Sequence, residues 1–169
     1  MTPTMTPTMS PTDGKDLLMC SYCGCADLEV VGRFMAEHEH IINHLGALRD
    51  GLEEPERRRA AAETLAAHLL PHVEAEEVGL FAVMARDELF TDHIATLCGE
   101  HHDLDELLAR VADGEVGLYP RFEDALREHI NREDNGLFPA AAIHLGGPEW
   151  DEVEQLTPRA GTAQRPATT

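Results

Sequence analysis

With 169 residues the chain is about one domain long, and 32 Asp and Glu against 13 Lys and Arg give it a net charge of −19. So acidic a chain is a poor partner for nucleic acid or an anionic membrane surface. No run approaches the ~18 apolar residues of a membrane span, no basic segment leads into an apolar one as in a secretory leader, and four cysteines are too few for a disulfide scaffold. These features together read as a cytoplasmic location.

In chain order, residues 1–19 form a Thr/Pro-rich stretch read as a disordered tail. Residues 20–26 hold Cys20, Cys23 and Cys25, a clustered and partly exposed set of thiols that could take a metal or act as a redox handle. Helix one is expected over Asp27 to Arg49, ending near Gly51. Helix two follows Glu54, with Pro55 in its first turn, where proline is favoured. Pro71 predicts a bend in that helix or a break that starts a new one. Helix three is expected over Leu89 to Ala112, closed by Asp113-Gly114, with Cys98 a small buried residue. Helix four follows Pro120 to about Gly136, with Pro139 ending it or kinking its last turn. A short amphipathic piece, Pro148 to Leu156, carries Trp150 and should pack on the rest; residues 157–169 read as a second disordered tail. No stretch alternates as a strand would, so the fold class is all-α with a domain over residues 27–156.

The chain repeats itself. His72, Glu76, Gly79, Leu80 and Phe81 recur at identical spacing as His129, Glu133, Gly136, Leu137 and Phe138. A His and a Glu four residues apart lie on one face of a helix. Upstream, Phe34, His38, Ile41 and Leu45 match Leu97, His101, Leu104 and Leu108, again one helical face. On that wheel His38 points inward, while His40 and His44 fall on a solvated face. The inward set is therefore His38, His72, Glu76, His101, His129 and Glu133. Imidazole and carboxylate together suit iron, zinc or manganese, and Glu is almost never fully buried without a partner. Four histidines and two carboxylates from four helices match a site for two metal ions with the carboxylates free to bridge, and bundle cores are where such sites are built.

In this order of ligands, with an acidic residue and Leu-Phe after each His-x-x-x-Glu, residues Asp27 to Ile143 resemble the hemerythrin-like, or HHE cation-binding, domain. That resemblance implies an antiparallel up-down four-helix bundle around a non-haem di-iron centre of two Fe ions with an oxo or hydroxo bridge. The implied ligands are the same six residues. Oxygen-carrying members have a fifth histidine where this chain has Leu97, and an Asp five residues after the last ligand His, the place of Asp134; here Glu133 sits at four. The set is more similar to members acting in iron-centre repair, nitric-oxide response or peroxide handling. The expected small ligand is O2, NO or peroxide, served by a redox partner the sequence does not identify. Alternatives are an iron or oxygen sensor, or a storage protein without turnover. Asp105 could replace the missing histidine, His68 reads as a packed polar residue, and Glu37 and Glu100 are expected to point outward.

Overall fold

The computed structural model describes residues 24–158. The tail over residues 1–19, together with Cys20 and Cys23, lies outside them. Every regular element among the described residues is helical. Helix α1 spans Glu29–Gly51, α2 Pro55–Glu76, α3 Glu88–Asp113 and α4 Tyr119–Arg132, with the shorter α5 (Phe138–His144) and α6 (Gly147–Leu156) behind them. The long helices pack in sequence, α1 on α2, α2 on α3 and α3 on α4, and α4 closes the ring on α1.

Local chemistry accounts for the boundaries. Pro55 sits in the first turn of α2, where its missing N–H is no loss. Asp87 caps α3, its carboxylate accepting from the Leu89 N–H at 2.8 Å. Gly114 ends α3 with φ of 118°, in the left-handed region that favours glycine. The buried Arg58 donates to the carbonyls of Leu52 and Ala112, tying the α1–α2 turn to the end of α3.

Three expectations from sequence need correction. Pro71 neither breaks α2 nor starts a helix; α2 runs through it to Glu76. The irregularity comes later, as a π-helical turn over Glu77–Phe81, and an equivalent π turn over Glu133–Leu137 follows α4. Nor does Pro139 end the fourth helix: it lies in the first turn of α5, which carries on to His144. Thr157, assigned to the tail, is buried; its Oγ1 donates to the Val153 carbonyl at 2.6 Å. Trp150 packs on the core as expected, so α6 lies against the body.

The apolar core comes in two halves. One gathers Phe34, Phe81, Leu97 and Phe138; the other gathers Ile41, Leu45, Leu69, Leu104, Leu108, Phe122 and Leu126. Between Phe34 and Ile41 on α1 lies His38; between Leu97 and Leu104 on α3 lies His101. The six inward polar residues thus form a slab between two apolar plugs. No helix among the described residues is long and apolar enough to cross a membrane.

Candidate metal centre

All six sequence-selected residues meet in that slab, each at most 4% exposed. They fall into two donor sets, His38, His72, Glu76 and Glu133 on one side, and Glu76, His101, His129 and Glu133 on the other; within each set the ligand atoms lie within 4.8 Å of one another. Both carboxylates belong to both sets. Oε1 of Glu76 faces His72 Nε2 at 3.3 Å and His38 Nε2 at 3.7 Å, while Oε2 faces His101 Nε2 at 3.4 Å. Glu133 answers in reverse, with Oε2 at 3.1 Å from His38 Nε2 and Oε1 at 3.2 Å from His129 Nε2. Ring geometry carries the same twofold relation: His38–His72 and His101–His129 both have centroids 4.6 Å apart and planes at 71°. Phe138 stacks on His38, and Phe81 on His101.

Every outer imidazole nitrogen is held by a carboxylate from a neighbouring helix or its π turn. His72 Nδ1 bonds Glu37 at 2.9 Å, His101 Nδ1 bonds Glu77 at 2.8 Å, His129 Nδ1 bonds Glu100 at 3.0 Å, and His38 Nδ1 bonds Asp134 at 2.9 Å. Each element along the ring supplies a carboxylate to the histidine of the next, and the last supplies the first. With Nδ1 donating, each ring turns the lone pair of Nε2 inward. Glu37 and Glu100 are therefore not outward: Arg33 pairs with Glu37 and Arg132 with Glu100, so both carboxylates are fixed from behind. Glu77 lacked any assignment from sequence, although its repeat partner Asp134 had been noted. The first π turn opens directly after Glu76 and the second at Glu133 itself; at the first, Glu76 faces the cluster and Glu77 reaches α3. π turns of this kind are common at functional sites.

The arrangement demands positive charge. Nε2 of His38, His72 and His101 and all four oxygens of Glu76 and Glu133 are buried without a hydrogen-bond partner. Buried carboxylates left so are costly unless paired or bound to a cation. Burial alone would lower the His38 imidazole, but Asp134 and Glu133 beside it push it up to about 10. Burial likewise opposes charge on His101, yet Glu133 and Glu76 push it up to about 11. Burial works to raise Glu133, and the three histidines around it hold it well below the usual carboxylate range. Atoms of this kind, gathered in two donor sets, are compatible with metal binding.

The family model described as the hemerythrin HHE cation-binding domain matches residues 30–141. The chain belongs to that family. The matched span of this hemerythrin-family chain takes in all six inward residues and the four carboxylates behind them. No match was found among curated proteins or among solved structures.

Other residues weighed from sequence lie elsewhere. Asp105 is exposed and belongs to neither donor set. Asp134 supports His38 and is in neither set. His144 faces Asp87 at 3.0 Å, and His93 and His102 are exposed. Cys25 is fully buried, unlike the partly exposed thiol expected. Cys98 is half-buried, and burial with the nearby Glu77 raises its thiol. His40 and His44 are not on an open face: they are half-buried and touch His68.

Proposed function

We propose that this hemerythrin-family protein holds two iron ions, one per donor set, and uses them to bind or react with O2, NO or peroxide. The ligands in this reading are His38, His72, His101 and His129, with Glu76 and Glu133 shared between the ions. The ring of four long helices is then the antiparallel up-down bundle of the family. One observation carries the proposal: two buried donor sets that share both carboxylates and whose inward atoms have no other partner.

Bound iron would supply a pair of redox-active cations with room for a small ligand, since imidazole and carboxylate together suit ferrous iron. The chain's own residues do the rest. Glu37, Glu77, Glu100 and Asp134 hold each imidazole in the tautomer that presents Nε2. Phe34, Phe81 and Phe138 keep water from one side, and Leu45, Leu69 and Leu104 from the other. Leu97, fully buried, stands where oxygen carriers of the family have a fifth histidine. Each set is therefore left with two imidazoles and two shared carboxylates, fewer donors than an octahedral ion takes. That favours reaction, or binding of a small molecule, over reversible oxygen carriage. In this reading the protein acts in the cytoplasm in oxidative or nitrosative stress, or in iron-centre repair.

The deciding experiment is metal content per chain by mass spectrometry on anaerobically purified protein, with optical spectra before and after exposure to air. About two irons per chain and a new near-ultraviolet band are expected. One zinc, or well-folded protein with no affinity for iron, refutes the reading. Consumption of peroxide or NO with turnover then separates an enzyme from a sensor or storage protein.

A further inference from the structure

A second group of histidines stands apart from the cage. His40 and His44 lie one turn apart on α1, and His68 reaches them from α2. The three rings are in mutual contact, with centroids 4.8 Å apart for His40–His44, 4.5 Å for His40–His68 and 4.6 Å for His44–His68. One ligand nitrogen from each lies within 4.8 Å of the other two, and the Nε2 atoms of His40 and His44 are 3.3 Å apart. None of the three is inward, and none belongs to either donor set of the cage.

We propose that His40, His44 and His68 form a third cation site, for a single divalent ion of the zinc class, with its remaining position open to water or an outside ligand. The cage histidines show by contrast what this trio lacks. Each cage imidazole is anchored through Nδ1 to a carboxylate, whereas among the described residues the ring contacts of this trio are with one another. Three imidazoles crowded together cannot all be protonated without repulsion. Burial, and then the charges of His68 and His40, push His44 down; burial and His40 push His68 down. Neutral rings present lone pairs, and three converging imidazoles are a donor set that zinc takes with one position left open. Bonds of ~2.0–2.1 Å from each nitrogen to one ion require the nitrogens to sit about 3.0–3.5 Å apart. The His40–His44 pair is already there, and a His68 nitrogen lies within 4.8 Å of both. An ion here would bolt α1 to α2 on the outside of the seam that carries His38 and His72.

The test uses the full-length protein with its cage ions in place. Zn(II) is titrated calorimetrically, and bound metals are counted afterwards by mass spectrometry. The expected result is one further zinc per chain, with iron content unchanged and a higher unfolding temperature in zinc. His44→Gln and His68→Gln should each weaken that uptake at least tenfold while leaving the iron count and the circular dichroism alone. Ring 15N shifts of the three histidines in the unaltered protein on adding zinc provide a check that no variant can confound. Absence of a further equivalent, uptake that survives both substitutions, or zinc that moves no ring signal of these three would each overturn the proposal. Because iron is counted separately, failure of this site is distinguishable from failure of the di-iron reading.

Discussion

Gly79 and Gly136 occupy the same place in the two copies of the repeat, and substituting each with alanine should move stability in opposite directions. A Cβ on Gly79 would lie 2.1 Å from Thr157 Oγ1, 3.0 Å from its Cβ and 3.3 Å from its Cα. Thr157 cannot swing away freely, because its N–H and its hydroxyl both bond the Val153 carbonyl at the end of α6. Gly79→Ala must push the end of α6 off the π turn by about 1 Å, the kind of overpacking that costs about 1–3 kcal/mol. Alanine returns up to ~1 kcal/mol in helical propensity. At Gly136 nothing lies within 4 Å of the added Cβ, so Gly136→Ala should keep that gain, about 0.5–1 kcal/mol. The propensity gain is common to both variants, so they should differ by the overpacking cost alone, roughly 1–3 kcal/mol. Urea unfolding of metal-free protein, followed by circular dichroism, measures it, and Thr157→Gly should rescue Gly79→Ala but leave Gly136→Ala unaffected. Equal stability of the two alanine variants would refute the packing of α6 on the π turn.

The outer carboxylates should govern metal retention. Glu37→Gln and Glu100→Gln are each expected to weaken iron binding by about 10–100-fold with the helical content unchanged, as measured by chelator competition; unaltered affinity would deny them a role in orienting His72 and His129. Because Glu133 has an oxygen in each donor set, Glu133→Ala should remove more than one metal ion per chain, whereas His72→Ala should remove about one. Metal counts that fall equally in the two variants would contradict a shared carboxylate. In metal-free protein His38 and His101 rise from 6.5 to about 10 and about 11. Folded values above the unfolded ones mean stability that is complete below about 6.5 and lost as pH climbs through 10 to 11. Unfolding midpoints of metal-free protein should fall across that alkaline window, and those of loaded protein should not.

Much of the candidate site could be read from the chain because the repeat places the inward residues in register twice. His38 alone is an ordinary core histidine; His38 and His101 in matching surroundings are not. The error over Glu37 and Glu100 has a physical cause. A residue one position before an inward ligand is rotated about 100° from it, which on an isolated helix is a flank. In a closed ring of helices that flank looks at the next helix, and a glutamate is long enough to reach its histidine. The recurrence of Glu at both positions was the available signal. The π turns were invisible for another reason: a one-residue widening leaves no compositional mark, and the prolines drew attention to Pro71 and Pro139 instead. The trio His40, His44 and His68 was missed because a helical wheel of α1 does not show what α2 brings alongside.

The closed circuit of carboxylates and histidines has an electrostatic consequence. Glu76, Glu133, Glu37, Glu77, Glu100 and Asp134 bring six negative charges to the slab, and Arg33 and Arg132 offset two of them. The four that remain equal the charge of two divalent cations. Without those cations the interior has only protons with which to approach neutrality, which is why His38 and His101 hold theirs so far into alkali. Loading is therefore an exchange of ions, and protons should leave as metal arrives, in numbers that calorimetry in buffers of different ionisation heat can count. Neutrality in a dry interior also discriminates by valence, disfavouring monovalent ions whatever the donor atoms would accept.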